Sequence, residues 1–198
     1  MPLLTLTLVL FLIMDPLGNI KSFIKFLEGL KPKRQKQIIV REMLIALGLI
    51  LLFNFIGEYI FNSLKLAEPV VYLSSGVILF LTALQILFPK EETSDSSIPK
   101  TEPFLVPLAI PMIAGPSLLA TVMLYAHTET SQVVMLLAIF ISWIASITIL
   151  LFSKSIFRLI GANGLTACEK LMGMVLILIS VERFMEGIIV FLNKPLPV

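Results

Sequence analysis

Apolar residues fall into six long runs along the chain, at about Leu3–Leu30, Ile38–Leu64, Val70–Phe88, Phe104–Ala126, Val133–Phe152 and Leu171–Leu192. Each is close to the roughly 20 residues that a helix needs to cross a hydrocarbon core. They are too long for barrel strands and lack the period-two alternation of such strands. The pattern therefore predicts an all-α integral membrane protein with six transmembrane helices. Polar punctuation separates the runs. Lys31-Pro32-Lys33-Arg34 divides the first from the second, and the stretch from Lys90 to Lys100 divides the third from the fourth.

That central stretch suggests two halves, and they resemble each other. The first run holds MDPLGN and the fourth holds IAGPSLL, so Asp15-Pro16 and Gly115-Pro116 fall at matching depth. The third run reads SSGVILFLTALQ from Ser74 and the sixth reads LMGMVLILISVE from Leu171, pairing Gly76 with Gly173 and Gln85 with Glu182. The expected organisation is one membrane domain: a three-helix repeat over 1–89, a cytoplasmic linker over 90–102, and a second repeat over 103–198. Three crossings are an odd number, so the second repeat is inverted relative to the first. Inverted repeats with broken helices meeting at the midplane are a hallmark of secondary transporters.

Basic residues set the orientation. Lys31, Lys33, Arg34, Lys36 and Arg41, the linker's Lys90 and Lys100, and then Lys154, Arg158 and Lys170 share one face if there are six crossings. Only Lys65 and Lys194 lie opposite. The rich face is cytoplasmic, which leaves both termini periplasmic or extracellular. An alternative topology makes the first and fourth runs re-entrant hairpins tipped at Leu17-Gly18 and Gly115-Pro116, with parallel repeats. The N-terminus has no Lys or Arg before Lys21 and no small-residue cleavage site, and reads as a first span rather than a signal peptide.

The interruptions carry the candidate chemistry. Leu3 to Met14 spans about 18 Å of helix, slightly past the middle of a core about 30 Å thick. Asp is a favoured N-cap and Pro a favoured first helical residue, so a second half-helix is expected to begin at Pro16. Gly115 and Pro116 repeat the signal in the other half, followed by Ser117, with Pro107 and Pro111 loosening the segment before them. Each such helix start exposes N–H groups and about half a positive charge, which suits an anion. The first is already occupied by the Asp15 carboxylate; the second has no side chain at Gly115. The pair suits a small zwitterion, its carboxylate at Gly115–Ser117 and its ammonium at Asp15, with a cation or proton as the other option there. The plainer reading is two proline kinks satisfied by neighbouring polar groups.

Other polar residues bear on this site. Gly18 and Asn19 complete the first motif, and Asn19 lies one turn beyond Asp15. Lys25 can snorkel to the surface, whereas Lys21 is deeper and is a cavity candidate with Gln85. Glu182 and Glu186 share a face; Glu182 is a second coupling candidate, and Arg183 can neutralise both at the outer interface. Arg41-Glu42 and Glu169-Lys170 read as structural pairs at cytoplasmic helix ends. Gly48, Ser74, Ser75, Gly76 and Gly173 are expected to allow close helix approach.

Composition agrees with the pattern and narrows the function. The chain has 198 residues, is 58% hydrophobic and 14% charged, and has a mean hydropathy of +1.01. That is too little polar surface to coat a soluble domain. The net charge is only +2. The single cysteine, Cys168, excludes an internal disulfide, and His127 reads as part of a short polar loop. No nucleophile motif, metal cluster or phosphate loop is present. No enzyme activity, cofactor, metal or nucleic-acid partner is expected.

MDPLGN near the start, VREMLIAL in the second run, FLVPLAIPMIAGPSLLATVM in the fourth and ERFMEGI near the end together resemble the MarC family of small bacterial and archaeal membrane proteins. The resemblance covers nearly the whole chain. It implies six spans with both termini periplasmic, and a place in a grouping of neutral amino acid transporters, with archaeal relatives that take up glycine and alanine. The family's DPxGN motif falls on Asp15, Pro16, Gly18 and Asn19, and its IAGP motif on Ile113, Ala114, Gly115 and Pro116. The chain departs from it at Lys21, where Pro is frequent, and at Ser117, where Gly is common. Expected partners are the lipid bilayer, a small zwitterion or anion, and a proton or sodium ion. The leading function is a secondary transporter of small solutes. The alternatives are an exporter or flippase of an anionic or lipid-linked substrate, and a non-transporting scaffold.

Overall fold

The computed structural model describes residues 2–65, 67–89, 113–128 and 131–193. Its regular elements over those residues are seven α-helices: α1 Leu3–Met14, α2 Asn19–Phe26, α3 Pro32–Leu64, α4 Glu68–Leu87, α5 Pro116–Thr128, α6 Gln132–Leu151 and α7 Ser153–Asn193. Proline starts several of them, at the first position of α3 and α5 and at the second of α4, where its missing N–H removes no helical bond. Among the described residues, Pro32–Gly57, Glu68–Leu87 and Gln132–Leu151 are each long and apolar enough to cross a membrane. The α1–α2 pair, bent by 44° at its break, passes the same test only when its two helices are taken together, as a broken span or a re-entrant loop. The linker over 90–102 and the start of the fourth run, with Pro107 and Pro111, lie outside the described residues.

Three sequence expectations are corrected. The second half-helix begins at Asn19, not Pro16, because residues 16–18 form a turn. The basic segment with Lys154, Arg158 and Lys170 is helical throughout, interrupted only at Gly161 (φ 74°, ψ 175°), where glycine accepts a conformation that side chains resist. His127 belongs to the last turn of α5, with its Nε2 3.9 Å from a Glu68 carboxylate oxygen.

Helices in lipid gain nothing from hiding apolar surface from the tails; close packing and hydrogen bonds hold them together. Glycine supplies the packing between α4 and α7. A Cβ on Gly76 would lie 3.0 Å from the Ser180 carbonyl and 3.1 Å from the Phe184 nitrogen, and one on Gly187 would lie 3.0 Å from the Leu73 nitrogen. Gly173 faces Ile86 and Leu87 in the same seam. Gly48, in contrast, faces open space. α1 packs on α6, α3 on α5, and α3 also on α6. Hydrogen bonds fix these crossings: the Ser142 hydroxyl donates to the Thr7 carbonyl at 2.8 Å, and the Trp143 indole to the Met43 carbonyl at 2.7 Å. Large apolar side chains such as Leu4, Phe55, Tyr59, Val133 and Leu178 point outward, as a lipid-facing surface requires.

Candidate functional site

The first break begins where α1 stops. Asp15 caps it in the left-handed conformation (φ 43°, ψ 58°), which costs a non-glycine residue about 1–2 kcal/mol. Pro16 disfavours the right-handed alternative at Asp15. The carboxylate then closes the turn, with Oδ1 accepting the Gly18 N–H at 3.0 Å, while the Asn19 N–H donates to the Asp15 carbonyl at 3.2 Å. A Cβ at Gly18 would collide with the Asp15 carboxylate and could be accommodated only if that carboxylate shifted. Asn19 Nδ2 donates to the Met14 carbonyl at 3.2 Å, satisfying a free acceptor at the end of α1. Asp15 is only 5% exposed. Sequence reasoning foresaw the end of the first half-helix near Met14 and a carboxylate at the break; it missed the turn over residues 16–18 that the carboxylate closes.

The second break is built differently. α5 begins at Pro116, as the sequence predicts, and the Gly115 carbonyl accepts its first helical bond from the Leu119 N–H at 3.0 Å. Ser117 is buried, and the Thr121 hydroxyl donates to its carbonyl at 2.7 Å. At this helix start the residue before Pro116 is Gly115, which has no side chain to lay over the first turn. α1 and α5 touch, and Met14, Ile113, Ala114 and Leu118 belong to one buried cluster. The two breaks therefore lie in the same interior, where the Ser146 hydroxyl of α6 also donates to the Met14 sulfur at 3.5 Å.

Three other candidates are placed elsewhere. Lys21 is more than half exposed and its Nζ pairs with Glu169 Oε2 at 3.5 Å, so it reaches α7 rather than a cavity. Glu169 is thus paired across helices, not with its neighbour Lys170. Gln85 and Glu182 are both exposed. In place of Glu182, the structure buries Arg183, which is 2% exposed. A signal for this was present in the sequence. From Gly173, steps of three and four residues lead through Leu176 and Ser180 to Arg183 and Gly187, and all five are buried.

The interior holds further polar groups without partners. Arg183 Nη2 donates to the Tyr125 hydroxyl at 2.8 Å, and its guanidinium carbon lies 4.8 Å from that ring's centroid. Its Nε and Nη1 are buried and unbonded. On α3, Glu42 is fully buried; Arg41 donates to its Oε1 at 2.9 and 2.7 Å, while Oε2 has no partner. Asn54 is buried with neither amide atom bonded. Asn54 lies one turn before Gly57, which abuts Met123 of α5. Unmet donors and acceptors in a lipid-embedded interior are tolerated only where water or a ligand reaches them. Among the described residues no group of His, Cys, Asp and Glu is arranged to hold a metal ion.

Known proteins carry the same arrangement of sequence. The family model described as "MarC family integral membrane protein" matches residues 2–192. A UPF0056 membrane protein of Buchnera aphidicola subsp. Baizongia pistaciae is 46% identical over 190 residues, covering 94% of this chain and 96% of its own. The UPF0056 inner membrane protein YhgN of Escherichia coli K12 is 43% identical over 188 residues, covering 94% and 95%. A UPF0056 membrane protein of Chlamydia pneumoniae is 33% identical over 193 residues, covering 96% of each. No solved structure matches the chain. With its family match extending over almost its full length, and with the DPxGN and IAGP motifs standing at the two helix breaks, the chain belongs to the MarC family of integral membrane proteins.

Proposed function

We propose that this protein is a secondary transporter of small zwitterionic solutes, neutral amino acids foremost, resident in the inner membrane. The observation that carries the reading is the pair of breaks. One presents a buried carboxylate, and the other a helix start preceded by a glycine, within one interior. An ammonium group pairs with Asp15, and a carboxylate takes the free N–H groups at Gly115–Ser117. Asp15, rather than the exposed Glu182, is the group that couples movement to a proton or sodium ion.

The helix packing supports two inverted repeats with six crossings. Exchanging the halves turns the α1–α6 contact into the α5–α3 contact, and both are present. The same step along the chain that carries Gly76 to Gly173 carries Leu87 to Phe184, and Gly76 meets Phe184 while Gly173 meets Leu87. Alternating access then arises from rocking one repeat against the other. The basic residues around Lys31–Lys36 and at the start of α7 face the cytoplasm, with both termini outside. Pairing of Lys21 with Glu169 removes the one feature that favoured an anionic or lipid-linked substrate.

The test is flux in proteoliposomes with labelled alanine, glycine and serine under an imposed pH or sodium gradient, beside Asp15→Asn. Uptake that needs both the gradient and Asp15 supports the reading. No movement of any of the three by folded protein overturns it.

A further inference from the structure

The breaks leave two buried charged groups unused: Glu42, which pairs with Arg41, and Arg183. A buried guanidinium forgoes several kcal/mol of hydration, and inside a membrane such a charge marks a pathway or a ligand by default. The sequence offered Glu182 and Glu186 as its counter-ions. In the structure Glu182 is exposed; Glu186, half-buried, faces Arg183 electrostatically, but among the described residues no carboxylate comes within ion-pair distance of Arg183. The side chain turns inward instead, onto the face and hydroxyl of Tyr125. Tyr125 supplies an acceptor and a negative ring face, but no negative charge.

The donor count defines what is missing. A guanidinium carries five N–H groups: one on Nε and two on each Nη. Tyr125 takes one of the two on Nη2. Nε and Nη1 are unbonded. Either Nε with Nη2, or Nη1 with Nη2, therefore remains as an open edge with two parallel donors. That edge matches the two oxygens of a carboxylate or phosphate, a geometry that a lysine cannot reproduce.

The surroundings set this group apart from the second break. Tyr125 is nine residues beyond Pro116, about 13 Å along α5 from the second break, so a solute there is separate from one at the break. The Gly76 and Gly187 contacts draw α4 against α7 on either side of Arg183, and Tyr72 of α4 packs with Leu124 of α5 in a small apolar cluster nearby. Polar donors thus sit on an apolar floor between three helices.

We infer that Arg183, held by Tyr125, is the anchor of a second binding station, for the oxyanion of a small solute, on the side of the second break towards the end of α5. This is a claim about binding and does not rest on the transport reading, so the two fail separately.

The experiment is a thermal-shift titration of the detergent-purified full chain with acetate, with acetamide as its uncharged isostere, and with chloride at equal ionic strength. Acetate is expected to raise the melting temperature, and acetamide and chloride are not. Arg183→Lys, which keeps the charge but loses the fork, is expected to weaken acetate at least tenfold. Tyr125→Phe, which conserves volume, is expected to alter the acetate affinity several-fold. Asp15→Asn is expected to leave it unchanged. Inorganic phosphate and phosphatidylglycerol in the same titration, competing with acetate, tell a free oxyanion from a lipid headgroup. Equal shifts with acetate, acetamide and chloride would overturn the station. So would an acetate effect that survives both Arg183→Lys and Tyr125→Phe.

Discussion

The two helix breaks solve one geometric problem with opposite electrostatics. At the first, a side chain turns back on its own turn: Asp15 takes a left-handed conformation and its carboxylate bonds the Gly18 amide. At the second, Gly115 contributes only backbone to the start of α5. The first end is therefore net negative and the second remains positive. A repeat copied without change would have produced two like ends. On the transport reading proposed above, this departure between the halves lets one interior receive both poles of a small solute.

Substitutions that erase this difference should have the largest effect. Gly115→Asp copies the first break into the second, and flux of labelled alanine in proteoliposomes should fall by about 100-fold or more, the scale of burying an unpaired like charge. Asp15→Asn erases it from the other side. Asn tolerates the left-handed conformation and can still accept the Gly18 N–H, so melting in detergent should move little while gradient-driven uptake is lost.

Smaller effects sharpen the first break alone. Gly18→Ala drives a methyl into the Asp15 carboxylate, and the strain should cost about 1–3 kcal/mol, read as a lowered melting temperature. Pro16→Ala relaxes the restraint on Asp15 without touching a hydrogen bond; the expected loss is below about 1 kcal/mol. Lys21→Ala breaks a largely exposed pair with Glu169 and should change stability by about 0–1 kcal/mol. A large loss of uptake in that variant would return Lys21 to the solute path.

Much of this was legible in the chain. Long apolar runs announced the helices, Pro116 marked the start of α5, and Gly76 and Gly173 marked the α4–α7 seam. What escaped was decided by rotation about the helix axis rather than by position along it. Glu182 and Arg183 are adjacent, yet one faces outward and the other inward, because the small-residue seam at Gly173, Ser180 and Gly187 fixes which face of α7 meets α4. Gln85 was misplaced for the same reason. Lys21 found its partner through a packing of α2 on α7 that no local pattern encodes. The helical course of residues 153–170 was hidden because they fall between the fifth and sixth apolar runs, and a helix beyond the bilayer needs no apolar run.

The chain contains a single tryptophan, Trp143, and it bridges the two halves. Its indole N–H is bonded to the Met43 carbonyl, so the ring senses whether α3 and α6 are in register. Indole emission depends on hydrogen bonding and local polarity. The unlabelled protein thus contains its own optical gauge: any rocking that parts these helices shifts the colour and yield of its only tryptophan, in detergent or in a vesicle, on the timescale of the motion itself.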